Sequence, residues 1–431
     1  MADNTLDDAA LALADRHFQT RVHDVPLLQR RAEDEGVKEI ASPVDAIAVM
    51  FPHTIYKSYP PQAIERNRWD LMNRWLDSLS SRRITTDVAG VTNIDEWLER
   101  LLQDGHYVVA TSGTTGKNSF LNKSIGDLDA NRDAQIGALI AAGVEPDNSW
   151  SLVSLSGGTG ILLAERMTEV LMDRFASPDT TIAGPPSPKP KEGHMAFLTR
   201  IVALRRAMAE GTASPAELAA FETENKEREA VSQKRLDFWA DALIANPDRK
   251  YLFGTFMALA WRMVETLRAR GVKPGDLTGA NAVYMAGGLK GAVLPPDVDA
   301  QIMAMLNIEP RNFVQLYGMQ EVNLMGRKCV VGNYHPDDGL LFLLLDEPGE
   351  GLVPIVDGMG DGRAAFIDTS AVNRWGGVIT GDRVQVDYGC ACGQAGPAIL
   401  PTISRWVAGG DDKITCAGTM DAYVRGVIGD D

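Results

Sequence analysis

Twice in this chain a short apolar run opens into a turn of glycines and hydroxyls. "YVVA" leads into "TSGTTGKNS" over residues 107–119, and "WSLVSL" leads into "SGGTG" over residues 150–160, with the helical "ILLAERMTEVLMDRF" behind it. Strand, glycine turn and helix in this order are the repeating unit of α/β folds, so the pattern points to that class. The first turn has a further property. Gly113 and Gly116 permit tight backbone turns, so Thr111, Ser112, Gly113, Thr114, Thr115, Gly116 and Lys117 together offer several N–H groups, hydroxyls and one ammonium to a single anion. By composition this is a cradle for polyphosphate. It is not the common NTPase loop, which needs Gly where Thr111 stands and Ser or Thr where Asn118 stands.

The 431 residues suggest roughly two to three domains or subdomains. A net charge of -16 repels polyanions over most of the surface and argues against nucleic acid as a partner, so any phosphate site must be a local pocket. No apolar run approaches the ~18 residues of a membrane span, and the acidic start lacks the basic residues of a signal peptide. The expectation is a cytoplasmic protein with no membrane partner. Four cysteines in so long a chain do not make a disulfide framework and are expected to be reduced.

Residues 1–105 read as a helix-rich opening, where "AIERNRWDLMNRWLDSLSS" places Ile64, Trp69, Leu71, Met72, Trp75 and Leu76 on one helical face. Residues 106–320 read as an α/β core. Within it, "AGPPSPKPKEG" is an exposed loop, residues 215–246 a charged helix, and "KYLFGTFMALAWRMVETLRARG" an apolar helix ending at Gly271 with basic residues in its last turns. Residues 321–426 read as β-rich, with "LLFLLLDE", "AAFIDT" and "RVQVDYG" separated by glycine turns.

Three segments follow the Gly-rich loop in order. In "VQLYGMQEVN", Tyr317 and Gly318 precede Glu321 on a turn after a strand; in "GGVITGDRVQVD", Thr380, Gly381 and Asp382 close a short apolar run; "RWVAGGDDKITCAG" occupies residues 405–418. Each alone reads as well as a plain turn with surface charges. As an ordered set they resemble the adenylate-forming superfamily, whose loop [ST]-[ST]-G-[ST]-T-G-x-P is met except that Asn118 replaces proline. The chain is most similar to the phenylacetate-CoA ligase and LuxE-type acyl-protein synthetase branch, with "MAGGLKG" at residues 285–291 resembling its Gly-Gly segment. The likeness runs roughly from residue 50 to residue 426.

The resemblance implies an α/β fold, the large N-terminal region of the adenylate-forming architecture, with α/β subdomains and a β-rich subdomain. It implies ATP and Mg2+ as well. The loop from Thr111 to Lys117 would hold the β and γ phosphates, Glu321 would ligate magnesium, Tyr317 and Gly318 would lie at the adenine, Gly287 and Gly288 would bring backbone to the base, and Asp382 would accept the ribose hydroxyls. The chemistry agrees, because a carboxylate attacks the α-phosphorus only when the leaving group is neutralised and both anions are held together, and a hard cation prefers carboxylate oxygen. Gln320 stands where the family has Thr or Ser at the α-phosphate, and its amide can still donate. Gly409 stands where an arginine normally precedes the acidic hinge pair, here Asp411 and Asp412; Arg383 and Arg405 are candidates to replace it. Fewer than twenty residues follow that pair, so the family's small C-terminal domain is expected to be absent.

Cys329 and His335 lie in "RKCVVGNYH", and Cys390 and Cys392 in "DYGCACGQ". Three Cys and one His have the composition of a closed structural zinc site. On spacing alone, reduced thiols beside an unrelated histidine fit equally well; similar Cys/His sites in phenylacetate-CoA-ligase-like proteins favour Zn2+. Cys416 reads either as an acyl acceptor in the LuxE manner or as a core residue of a small strand. The expected activity is activation of a small carboxylic acid to its acyl-adenylate with pyrophosphate release, then transfer to coenzyme A. An aryl or arylalkyl acid is favoured, lined in part by "SLSGGTG". A LuxE-type transfer of a fatty acid to an acyl-acceptor protein, a nucleotide-binding scaffold without turnover, and a kinase-like enzyme are the alternatives. A second copy of the chain, as a homodimer, is a further candidate partner.

Overall fold

A computed structural model describes residues 4, 6–110, 117–156, 162–180, 185, 193–286 and 293–406. The chain divides into two units. One comprises residues 1–131, 192–203 and 318–431, and the other residues 132–191 and 204–317.

In the second unit the strands Ser151–Ser154, Tyr251–Thr255, Asn281–Ala286 and Ile308–Tyr317 pair in that order, all parallel. Parallel neighbours need crossovers, and the helices Met257–Ala269 and Val298–Leu306 supply two of them. The run beginning at Lys250, read as one apolar helix, is therefore a strand followed by a helix. Val153, Phe253, Val283 and Phe313 of the sheet are buried with Met263, Leu267 and Ile302 of the helices, and with Leu236 and Trp239 of the helix Pro215–Ala245. Ser214 caps that last helix through a reciprocal box with Glu217. Open parallel sheets bind ligands beyond the carboxyl ends of their strands. Tyr317 ends one of these strands, and residues 157–161 and 287–292, which hold the "GGTG" and Gly287–Gly288 candidates, lie outside the described residues.

The first unit joins the opening helices to the β-rich final third. Leu340–Leu345, Met359–Asp368 and Gly377–Asp387 form an antiparallel meander, and Phe51–Pro52 adds a parallel pair to the last of these strands. The helical face at residues 63–81 is broken in two, Pro61–Glu65 and Trp69–Ser78, because Asn67 sits at φ 53°, where a helix cannot continue. Trp69, Leu71, Met72, Trp75 and Leu76 are nonetheless all buried, and Trp69 stacks on Trp97 with ring centroids 5.8 Å apart. Thr380, Gly381 and Asp382 lie inside a strand rather than at its end, beside an irregularity opposite Arg363 and Ala365.

His17 stacks on Trp375 at 5.3 Å, and its Nε2 is buried with no partner among the described residues. Burial, aided by Arg21, lowers its pKa to about 4. The neutral ring is the form that fits, so the unfolded chain takes up the proton first. Stability is therefore intact above pH 6.5 and falls between pH 6.5 and 4, by about 2 kcal/mol at pH 5 and about 3 kcal/mol in total from this residue. Urea unfolding at pH 7.5 and pH 5 should show that loss, and His17→Phe should remove it; an equal loss in the variant would assign the effect elsewhere.

Candidate active site and metal centre

The Gly-rich loop joins two paired strands, Tyr107–Ala110 and Phe120–Lys123, in the register Ala110↔Phe120 to Tyr107↔Lys123. Thr111, Ser112, Gly113, Thr114, Thr115 and Gly116 lie outside the described residues. Lys117 is described. Its Nζ lies 3.4 Å from the Lys57 carbonyl and 5.2 Å from the centre of the Tyr59 ring, which itself stands edge-on to Trp75 and Phe120. The ammonium is thus held against a fixed aromatic face beside the loop.

Glu321 is 8 % exposed, yet its carboxylate has no hydrogen-bond donor or cation within ion-pair distance among the described residues. So buried a charge normally has a direct partner, and a divalent cation on hard oxygen would relieve it. The residues present therefore fit magnesium. Beside it, Gln320 has its Oε1 buried and unpartnered among the described residues, and a Cβ at Gly318 would lie 3.1 Å from the Met325 side chain.

The main chain that carries Glu321 is held by buried charges. Arg374 donates to the Glu321 carbonyl through Nη2 at 3.0 Å and Nε at 3.3 Å, and to Asn323 Oδ1 at 3.0 Å. Its Nη1 pairs with Asp127 at 2.8 Å, where both side chains are buried. Asp127 also accepts from Asn323 Nδ2, Val372 N, Asn373 N and both Ser124 donors. Burial alone would push its carboxyl up; Arg374 and these bonds outweigh it and hold it well below the usual carboxylate range. Asp368 accepts from the Asn323 amide, and Asn131 donates to the Asn323 carbonyl at 2.8 Å. None of these residues was singled out from the sequence. Only the Ser124-x-x-Asp127 capping pattern at the start of helix Ile125–Ala141 carried a signal.

Asp382 is also nearly buried, and its carboxylate pairs with Arg405 Nε at 3.0 Å because the short strand Ser404–Arg405 lies antiparallel to it. Arg383 instead pairs with Asp361 at 2.7 Å. Of the two arginines considered in place of Gly409, Arg405 is the one at the acidic residue. Gly409, Asp411, Asp412 and Cys416 lie outside the described residues.

The four metal candidates come together. Strands Gly326–Lys328 and Tyr334–Pro336 form a hairpin that opens at Cys329 and carries His335 on the return strand, and the turn after Gly377–Asp387 brings Cys390 and Cys392. Their ligand atoms all lie within 4.8 Å of one another. Cys329 Sγ and Cys390 Sγ are 3.9 Å apart, and Cys392 Sγ is 3.3 Å from His335 Nε2. A disulfide would need a separation of about 2.05 Å. Two thiolates bound tetrahedrally at about 2.3 Å from one ion stand about 3.8 Å apart. The spacing is that of a metal site. Asn333 Nδ2 and the Gln394 amide donate to the sulfurs of Cys390 and Cys392 at 3.5 and 3.4 Å, which helps neutralise them. Burial, with Arg327, holds His335 below the usual imidazole value, the neutral form a ligand needs.

No family model matches the sequence, and no curated protein matches it. Among solved structures, an open conformation of 2-hydroxyisobutyryl-CoA ligase in complex with 2-HIB-AMP and CoA is similar at TM-score 0.53 and 13% identity, covering 94% of this chain and 76% of that one. The same ligase in its postadenylation state with R3-HIB-AMP gives TM-score 0.53 and 13% identity over 94% of this chain and 69% of that one. The chain has the adenylate-forming fold. Among the described residues no helix is long and apolar enough to cross a membrane.

Proposed function

We propose that this chain is an AMP-forming acid ligase, which uses ATP and magnesium to activate a small carboxylic acid and passes the acyl group to coenzyme A. The observation that carries this reading is Glu321, a nearly buried carboxylate with no direct partner among the described residues, held on a braced turn. Magnesium bound there would neutralise developing charge on the phosphates. Lys117 adds an ammonium for the pyrophosphate leaving group, the Gln320 amide donates to the α-phosphate, and Asp382, oriented by Arg405, accepts the ribose hydroxyls. The acid oxygen bonds to the α-phosphorus as the α–β bridging bond breaks. The thiol of coenzyme A then bonds to the acyl carbon, and AMP departs. For substrate, the sequence resemblance supports an aryl or arylalkyl acid, whereas the structural neighbours are named for a short hydroxy acid. Both belong in the test, with a fatty acid for the LuxE alternative. We further propose that Cys329, His335, Cys390 and Cys392 hold zinc in a structural role, since three thiols and one imidazole suit that ion and leave no position for substrate.

The test is acid-dependent exchange of labelled pyrophosphate into ATP. Glu321→Gln should lower exchange about 100–1,000-fold, the range for losing one electrostatic element of such a site. Lys117→Ala should act in the same direction. ADP as product would favour a kinase-like reaction, and ATP binding without exchange on any acid would favour a scaffold.

A further inference from the structure

Lys123 is 0 % exposed, and no carboxylate lies within 4.0 Å of its ammonium among the described residues. Its contacts are instead Asn323 Oδ1 at 3.1 Å and the Val322 carbonyl at 3.5 Å. Burial, reinforced by Arg374, brings its pKa down to about 7, while Asp127, Asp368 and Glu321 act on it from farther away. A charge left in the interior without a direct counter-ion costs stability, and a core methionine would not. Both contacts of this costly group end on the two residues that follow Glu321. With Arg374 on the Glu321 carbonyl, Asp368 on the Asn323 amide and Asn131 on the Asn323 carbonyl, the carbonyls of 321, 322 and 323 all end on buried side chains. Lys123 is also the last residue of the strand Phe120–Lys123, which leaves the Gly-rich loop just beyond Lys117.

We propose that Lys123 is a positioning residue, which ties the main chain at Val322–Asn323 to the strand leaving the Gly-rich loop so that Glu321 and Lys117 keep a fixed separation. Its effect on turnover rests on the adenylation reading above, whereas the brace itself does not. Lys123→Met keeps the length and apolar stem and removes the ammonium. Its melting temperature should equal or exceed that of the parent. In hydrogen–deuterium exchange the Val322 and Asn323 amides should lose protection about tenfold, and in pyrophosphate exchange kcat should fall about tenfold with little change in KM for the acid, since displacement of a catalytic group by about 1 Å can cost up to 10²-fold. Lys123→Gln, which restores a donor, should recover part of both effects and serves if the methionine variant does not fold. Protection unchanged at both amides, or a lowered melting temperature with kinetics within twofold of the parent, would overturn the proposal. If the parent shows no pyrophosphate exchange, the adenylation reading fails, and amide protection alone decides the brace.

Discussion

Asp127→Asn should destabilise the protein by about 3–5 kcal/mol, the range for removing one member of a buried ion pair. The carboxylate accepts from Arg374, Asn323, Val372, Asn373 and Ser124, and its side chain is fully buried. An amide of the same shape has one accepting oxygen. Its NH2 would face donors, and Arg374 would keep only Asp368 at 3.8 Å as an anionic partner. Such a loss is a large share of the roughly 5–15 kcal/mol that keeps most proteins folded, so unfolding is best followed in urea at low temperature. Arg374→Met alone should cost a comparable amount. The double variant should cost less than the sum, because neither charge is then left buried alone. A change below about 1 kcal/mol in Asp127→Asn would show that the cluster relaxes to water and is no brace.

The second large effect concerns the cysteines. Purified protein should carry one zinc per chain by elemental analysis, and Cys390→Ser should abolish retention and lower stability by several kcal/mol. Structural zinc contributes about 10–16 kcal/mol of apparent binding free energy in zinc-finger peptides, and here part of that falls on a hairpin already supported by a sheet. Cys390 is the most buried of the three thiols and faces Cys329 at 3.9 Å, so its loss opens the set to water. A strong chelator should reproduce the variant, with zinc restoring the parent only. Metal-free protein of unchanged melting temperature would return the four residues to ordinary reduced side chains.

The candidate site could be put forward from the sequence where chemistry is local. The Gly-rich loop, the Glu321 turn and the Cys-x-Cys pair are each carried by adjacent residues. The brace could not. Lys123, Asp368 and Arg374 are residue types that usually face water, and the decisive pair, Asp127 with Arg374, is separated by 247 positions. Nothing at either end announces the other. The metal set lies between these cases: its residue types suggested the chemistry, while the 61 positions from Cys329 to Cys390 left the spacing uninformative until the two turns were seen together. Asn67 and the "TGD" segment failed for a simpler reason. A single left-handed residue split a face of helical periodicity, and the turn-like glycine of Gly381 proved to belong inside a strand with a local irregularity.

The two largest segments of the first unit, residues 1–131 and 318–431, are separated in the chain by both segments of the second. During synthesis the opening helices, with Trp69, Trp75 and Trp97 among them, emerge long before the strands at residues 340–387 with which they share a core. The intervening stretch from Asn131 to Gly318 is about 190 residues, a delay of roughly 10–40 s at ordinary rates of elongation. For that interval a tryptophan-rich surface leaves the ribosome without its counterpart, while the parallel-sheet unit can finish first. The yield of folded protein should therefore be more sensitive to slow codons between those positions than to any placed after them.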